Sequence, residues 1–219
     1  MKIANINYQG CHTYGFIVNE DIITKSRLES ILQISLPDTI EGLILDFDGL
    51  QIVKEYISDY EYNEENSNKI PLSETELLAP LSNPPKILCL GLNYSDHAKE
   101  QGVSVPKNPP LFMKPRTTIN GPYHDIVKPK IVTKLDYECE IAVVIGKKGK
   151  NIDVKNAINY IFGYLIFNDV SARDIQFGDK QWTRGKSFDT FAPIGPWITT
   201  REEIANPNEL EISTIVNGE

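Results

Sequence analysis

The sequence predicts a mainly β chain of the α+β class, and three observations carry that reading. After Pro84-Pro85, apolar residues come in runs of four to eight punctuated by Gly and Pro, which is strand spacing rather than helix spacing. Near the N-terminus, Ile6 and Tyr8 alternate with Asn5 and Asn7. Apolar residues at helical spacing are confined to the stretch from Ser26 to Ile57.

In chain order, residues 1–25 read as short strands, with Tyr14 to Val18 separated from Ile22-Ile23 by the turn-like Asn19-Glu20-Asp21. Ser26 to Gln33 reads as a short helix with Leu28, Ile31 and Leu32 on one face. From Asp38 a longer helix is expected, because Ile40, Leu43, Ile44, Phe47, Leu50, Val53 and Ile57 recur at its period. Gly42 and Gly49 weaken its continuity by roughly 1 kcal/mol each relative to Ala. The acidic, aperiodic stretch Asp59 to Asn68 reads as a solvated loop or linker. It divides a small α+β domain over residues 1–70 from a second domain over 71–219. The second domain opens on the buried strand Lys86 to Gly91, and the runs Ile141 to Ile145, Ile161 to Phe167 and Leu210 to Val216 read as further strands.

Composition narrows the function classes. With 41% hydrophobic and 24% charged residues the chain is a folded protein rather than a disordered one. Its net charge of −8 repels nucleic acid and anionic membranes, so neither is an expected partner. A small anionic substrate would need a local cluster of cations or a metal. Tyr160 to Phe167, the longest apolar stretch, is far too short to span a bilayer, and Met1 to Asn5 opens no signal peptide. Cys11, Cys89 and Cys139 are odd in number and widely spaced, which argues against a disulfide framework or a zinc site. A reducing cytoplasm suits them, each as a small buried apolar residue.

Chemistry concentrates in three segments. In Lys134 to Gly146, strand alternation throws Asp136, Glu138 and Glu140 to one face and Cys139, Ile141 and Val143 to the other. Taken alone, a wet sheet face is the commoner explanation. If the face is buried, three carboxylates need a cation. Asp169, at the end of the apolar run Tyr160 to Phe167, is the candidate third ligand; a helix N-cap is its other reading, and Asp174 reads equally well as a surface acid. Three carboxylates without clustered His or Cys favour a hard cation, Mg²⁺ first, with Mn²⁺ or Ca²⁺ as alternatives. In Gly91 to Glu100, His97 and Glu100 are i,i+3 neighbours on a short helix, and a carboxylate beside an imidazole suits water activation; a surface pair is the plainer reading. In Gln181 to Phe191, Lys186 follows a glycine and precedes aromatics, and Lys114 in Leu111 to Pro115 is similar; each is either a partly desolvated substrate-facing ammonium or a surface lysine.

Together these segments resemble the fumarylacetoacetate hydrolase superfamily, in particular its acylpyruvase and 2-hydroxyhepta-2,4-diene-1,7-dioate isomerase-like members. The resemblance rests on Gly91-Leu92-Asn93-Tyr94 with Asp96-His97 and Glu100, then Phe112-Met113-Lys114-Pro115 and Asp136 to Glu140. It continues through Asn168 to Asp174, Gln181-Trp182 with Gly185 to Asp189, and Pro193 to Pro196. It runs from about Lys86 to Glu219, and five motifs in order are specific where any one would not be. The resemblance implies mixed sheets rolled into a flattened barrel or sandwich, and usually a homodimer. It implies Glu138, Glu140 and Asp169 as Mg²⁺ ligands with Asp136 supporting, a water-activating pair in His97 and Glu100, and Lys186, Lys114, Arg173 and Gln176 facing a small 2-oxo-acid substrate.

The expected activity is hydrolysis of a C–C bond in an acylpyruvate. The alternatives are isomerisation or decarboxylation of a 2-hydroxy-dienoate, dehydration of a 2-keto-3-deoxy sugar acid, or an inactive binding subunit. Two departures stand out. The sequence stops at Glu219 without the further strands and Thr-Gly-Thr-Pro-like loop of the superfamily, so a C-terminal part is expected to be missing. Leu92 stands where some acylpyruvate-cleaving members carry Arg.

Overall fold

A computed structural model describes residues 1–60, 69–92, 94, 102, 107–179 and 181–219. Strands β1 (Lys2–Tyr8), β2 (Cys11–Val18) and β3 (Asp21–Thr24) form an antiparallel meander. The first turn is two residues long, with Tyr8 paired to Cys11 and both Gln9 (φ 52°) and Gly10 (φ 82°) left-handed, the backbone a tight hairpin requires. Asn19 (φ 57°) plays the same part before β3.

Three helices follow. They are α1 (Lys25–Leu32), α2 (Ile40–Leu45) and α3 (Phe47–Tyr60). The single long helix expected from Asp38 is therefore two. Thr39 Oγ1 accepts from Gly42 N at 3.0 Å to start α2, and Asp46 Oδ1 accepts from Gly49 N at 3.1 Å to start α3. A side-chain oxygen that caps a new helix competes with continuing the old one. Gly49 makes room for the Asp46 carboxylate, since a Cβ there would lie 2.2 Å from Asp46 Oδ2. The break also turns Phe47 outward, 70% exposed, away from the apolar face on which its spacing put it.

Short strands β4 (Ile70–Pro71), β5 (Glu76–Leu78), β6 (Ile87–Leu90), β7 (Leu111–Lys114), β8 (Ile119–Asn120) and β9 (Leu135–Asp136) lead to β10 (Cys139–Ile145). Then come α4 (Val154–Ala157), β11 (Ile161–Asn168), β12 (Ser171–Ala172), α5 (Arg173–Asp179), α6 (Trp182–Gly185) and β13 (Ala192–Thr200). Nine strands make one sheet in the order β10-β11-β13-β1-β2-β3-β4, with β5 added on β1 and β8 parallel to β13; β6–β7 and β9–β12 are separate pairs. Among the described residues the sheet is open, with β10 and β4 at its ends, and not rolled into a closed barrel. The structure is mixed α+β and mostly sheet.

The sheet is continuous between the segments 1–70 and 71–219 because Lys2 and Ile3 of β1 pair with Thr199 and Ile198 of β13. The main core is shared in the same way. Phe16, Leu28, Ile40, Leu43 and Val53 pack in one cluster with Phe162, Leu165, Phe167, Ile194 and Ile198. Leu210 to Val216 is not a strand. Leu210, Ile212, Ile215 and Val216 are exposed there, and the segment meets β10 through Cys139 Sγ, which donates to Ser213 O at 3.5 Å, without joining its ladder. Cys11 is exposed, not buried as its residue type suggested, because it opens β2 at the hairpin tip; all three cysteines are free. No helix among the described residues is long and apolar enough to cross a membrane.

Candidate metal centre

Sheet register brings the acids together. Cys139 of β10 pairs with Asn168 of β11, and Glu140 pairs with Phe167. Just beyond that ladder, Asp169 N donates to Glu138 O at 3.0 Å, and Glu138 N donates to Asn168 Oδ1 at 3.1 Å. One carboxylate oxygen from each of Glu138, Glu140 and Asp169 lies within 4.8 Å of the others. Opposite ligands around a Mg²⁺- or Mn²⁺-sized ion stand about 4 Å apart, so the spacing suits one small dication.

The acids lie in a charged knot, not on a wet face. Asp169 is 1% exposed. Lys114 Nζ donates to Asp169 Oδ1 at 2.6 Å and to Val170 O at 3.1 Å. Lys186 Nζ donates to Asp169 Oδ2 at 2.7 Å and to Glu138 Oε2 at 2.8 Å. Burial pulls the Lys114 ammonium below its usual range, while the Asp169 carboxylate resists that fall. Glu140 is the acid left over. Among the described residues no hydrogen bond or ion pair reaches its carboxylate. Burial first, then the Asp169 and Glu138 charges, push its carboxyl up to about 7. A half-buried carboxylate holding its proton that tightly marks a place where positive charge is wanting. The residues fit a hard dication, with Glu138, Glu140 and Asp169 as its holders.

A second ring of contacts fixes Glu138. Arg173 Nε donates to Asp136 Oδ2 at 2.8 Å, and its Nη1 lies 2.6 Å from Glu138 Oε1 and 3.0 Å from Gln176 Oε1. Ser171 Oγ donates to Asp169 O at 2.9 Å and to Glu138 Oε1 at 3.3 Å. Asp136 is not a fourth acid in the cluster. The expected strand is interrupted at Tyr137 and Glu138, so Asp136 belongs to β9, pairs with Ser171 of β12 and answers Arg173. Asp174 is held by Thr133, whose N and Oγ1 both donate to its Oδ2.

The cleft above is lined by the polar residues Glu138, Glu140, Arg173, Gln176 and Lys186 together with Leu90, Gly91, Leu92, Phe112, Phe177 and Trp182. Lys114 lies under the acids rather than along the cleft. His97 and Glu100 lie outside the described residues. Sequence reasoning missed Tyr94, whose hydroxyl accepts from Ile141 N at 3.2 Å, and Phe112, whose ring lies 5.1 Å below Lys186 Nζ. It also missed the edge-to-face packing of Phe112 on Trp182. The signal was faint but present, since both aromatics sit in segments that also carry the lysines.

An open α+β sheet whose strand ends gather three carboxylates and two buried lysines is an arrangement that could hold one hard dication. Residues 86–219 match the family described as fumarylacetoacetate (FAA) hydrolase, C-terminal, and the chain belongs to that family. The oxaloacetate tautomerase Fahd2a, mitochondrial, of Rattus norvegicus is 50% identical over 151 residues, which are 68% of this chain and 48% of the relative. The chain thus spans about half the length of the curated relatives it matches. A maleylpyruvate hydrolase from Sphingobium sp. SYK-6, in complex with manganese(II) and pyruvate, superposes with a TM-score of 0.71 at 26% identity, covering 94% of this chain and 70% of that one. A 2-hydroxyhepta-2,4-diene-1,7-dioate isomerase from Mycobacterium marinum superposes at 0.64 with 29% identity, covering 92% and 65%. Family members are enzymes, and one of these solved structures is a complex with manganese(II) and pyruvate.

Proposed function

We propose that this protein enolises a small 2-oxo acid with the help of one divalent metal, Mg²⁺ or Mn²⁺, held by Glu138, Glu140 and Asp169. The observation that carries the reading is the close set of three carboxylate oxygens, one of them on an acid without a cation of its own. A dication bound there would supply positive charge for the negative charge that develops on the substrate's oxygens. Lys186, 2% exposed and beside Glu138 and Asp169, holds a second positive charge at the mouth of the site, where it can neutralise an enolate oxygen. Gln176, fixed through its Oε1 by Arg173, keeps its amide N–H groups for a substrate carboxylate.

Two reactions share an enolate of the 2-oxo-acid head, formed in one by loss of a C3 proton and in the other when water adds to the distal carbonyl, the C3–C4 bond breaks and C3 then takes a proton. Protonation elsewhere on the carbon skeleton gives tautomerisation or isomerisation, the reading supported by the names of the tautomerase and isomerase relatives. Delivery of water to a distal carbonyl, the role proposed for His97 with Glu100, gives C–C hydrolysis of an acylpyruvate, supported by the named maleylpyruvate hydrolase. The shared step is testable without choosing between them. In D₂O with Mn²⁺ or Mg²⁺, the protein should speed deuterium exchange at C3 of a 2-oxo acid, and Lys186→Met should lose most of that exchange. Exchange no faster than in metal and buffer alone would refute enolisation. Product analysis on an acylpyruvate then separates hydrolysis, which releases two acids, from isomerisation, which releases none.

A further inference from the structure

Strand β7 turns two residues toward the site. Alternation puts Phe112 and Lys114 on its inner face and leaves Leu111 and Met113 on its exposed one. Lys114 supports Asp169 from beneath. Phe112 lies under the other cation, its ring centroid 5.1 Å from Lys186 Nζ. Trp182 opens α6 and Lys186 follows its last residue, so a single helical turn brings both to Phe112. Trp182 meets the ring edge to face with centroids 5.6 Å apart. Gly91 backs Trp182 so closely that a Cβ would lie 2.1 Å from the indole. These contacts hold the ring without help from Lys186.

The Lys186 ammonium is buried, and two of its three N–H donors go to Glu138 Oε2 at 2.8 Å and Asp169 Oδ2 at 2.7 Å. Among the described residues no oxygen takes the third. A carboxylate holds an ammonium by accepting one of its N–H groups. An aromatic face attracts the charge as a whole, through its negative quadrupole. The ring therefore steadies Nζ without supplying an oxygen that competes with a substrate.

We infer that Phe112 is a positioning residue for Lys186: its ring face holds the ammonium at the mouth of the site with an N–H free for the oxygen that gains charge on enolisation. This rests on the proposed enolisation and adds to it the group that places its second cation. A leucine would fill much of the same space but would not attract the charge.

The test replaces Phe112 in the full chain by mono-, di- and trifluorinated phenylalanine, which keep the ring's shape while draining negative charge from its face. With Mn²⁺ and pyruvate, kcat for C3 exchange in D₂O should fall stepwise, by about five- to tenfold at the trifluorinated ring. KM for pyruvate should stay within about twofold, because the contact acts on charge that develops only in the reaction. A second readout needs neither metal nor turnover. The Tm of the metal-free protein should fall along the same series, and in Lys186→Met that slope should vanish. A kcat indifferent to fluorine, whether or not KM rises, overturns the inference. So does a Tm slope as steep in Lys186→Met as with Lys186, which would assign the effect to the Trp182 contact. Both leave the proposed function standing. No metal-dependent exchange in the unsubstituted chain overturns the proposed function together with the part given to Phe112.

Discussion

Lys114 Nζ stands 2.6 Å from Asp169 Oδ1 with both side chains buried, and Lys186 closes on the other oxygen of the same carboxylate. Asp169 is thereby held in place by one lysine beneath and one at the mouth of the site, before any metal is considered. That relationship makes the ligand set preorganised and also makes it fragile.

Lys114→Met should destabilise the fold by about 3–5 kcal/mol, because it leaves one oxygen of a buried carboxylate without its partner. Thermal or urea unfolding measures the loss. A change under about 1 kcal/mol would mean that the pair is not buried as described.

Arg173→Lys should spare the fold and loosen the site. The guanidinium reaches Asp136 through Nε and Glu138 and Gln176 through Nη1, and an ammonium cannot span all three. Metal affinity should fall by about 10–100-fold, as for other outer partners of metal ligands. Titration calorimetry reads it, and unchanged affinity would assign Arg173 to substrate alone.

Gly185→Ala puts a Cβ 2.8 Å from Gln176 N and 3.0 Å from Ala172 O, backbone atoms that cannot swing aside. Separating α6 from α5 should cost about 1–3 kcal/mol and displace the adjacent Lys186. The unfolding midpoint and the metal affinity should fall together.

Metal binding should strengthen with pH through neutrality. Glu140 is pushed up from the usual 4.5 to about 7, chiefly by burial, so the folded state binds its proton more tightly than the unfolded chain. Stability from that protonated form is fully present below about 4.5 and is lost as pH rises through about 7 in the metal-free protein. A dication replaces the proton, so its affinity should drop by up to about tenfold per pH unit below 7. The rise in Tm on adding Mn²⁺, measured at about pH 5.5 and about pH 8, should be clearly larger at the higher pH. An equal rise at both would contradict Glu140 as a ligand.

Much of the site was legible in the sequence because alternation along a strand is a local property. Glu138 and Glu140 are two residues apart, and that spacing puts them on one face of an extended chain, here just before and at the start of β10. Asp169 was legible as an acid at the end of an apolar strand, and register with β10 then brings it alongside. Asp136 obeys the same alternation yet leaves the cluster, because Asn168 Oδ1 takes the Glu138 N–H and the chain departs from the ladder there. Such a side chain-to-backbone bond arrives from 30 residues away and has no local signature. The helix break at Asp46 and the unpaired Leu210 to Val216 misled for related reasons. A capping carboxylate overrode one apolar period, and apolar composition alone did not pair Leu210 to Val216 with the open edge of β10 beside it. The packing of Gly91 and Phe112 on Trp182 was unreadable because these residues are far apart in the chain and meet only in three dimensions.

The central claim is that Glu138, Glu140 and Asp169 hold one dication, and direct titration of the metal-free chain with Mn²⁺ tests it, read by calorimetry or by electron paramagnetic resonance. The account predicts one Mn²⁺ per chain, lost in Asp169→Asn while the variant remains folded. No saturable site, or a site of equal affinity in Asp169→Asn, would contradict it.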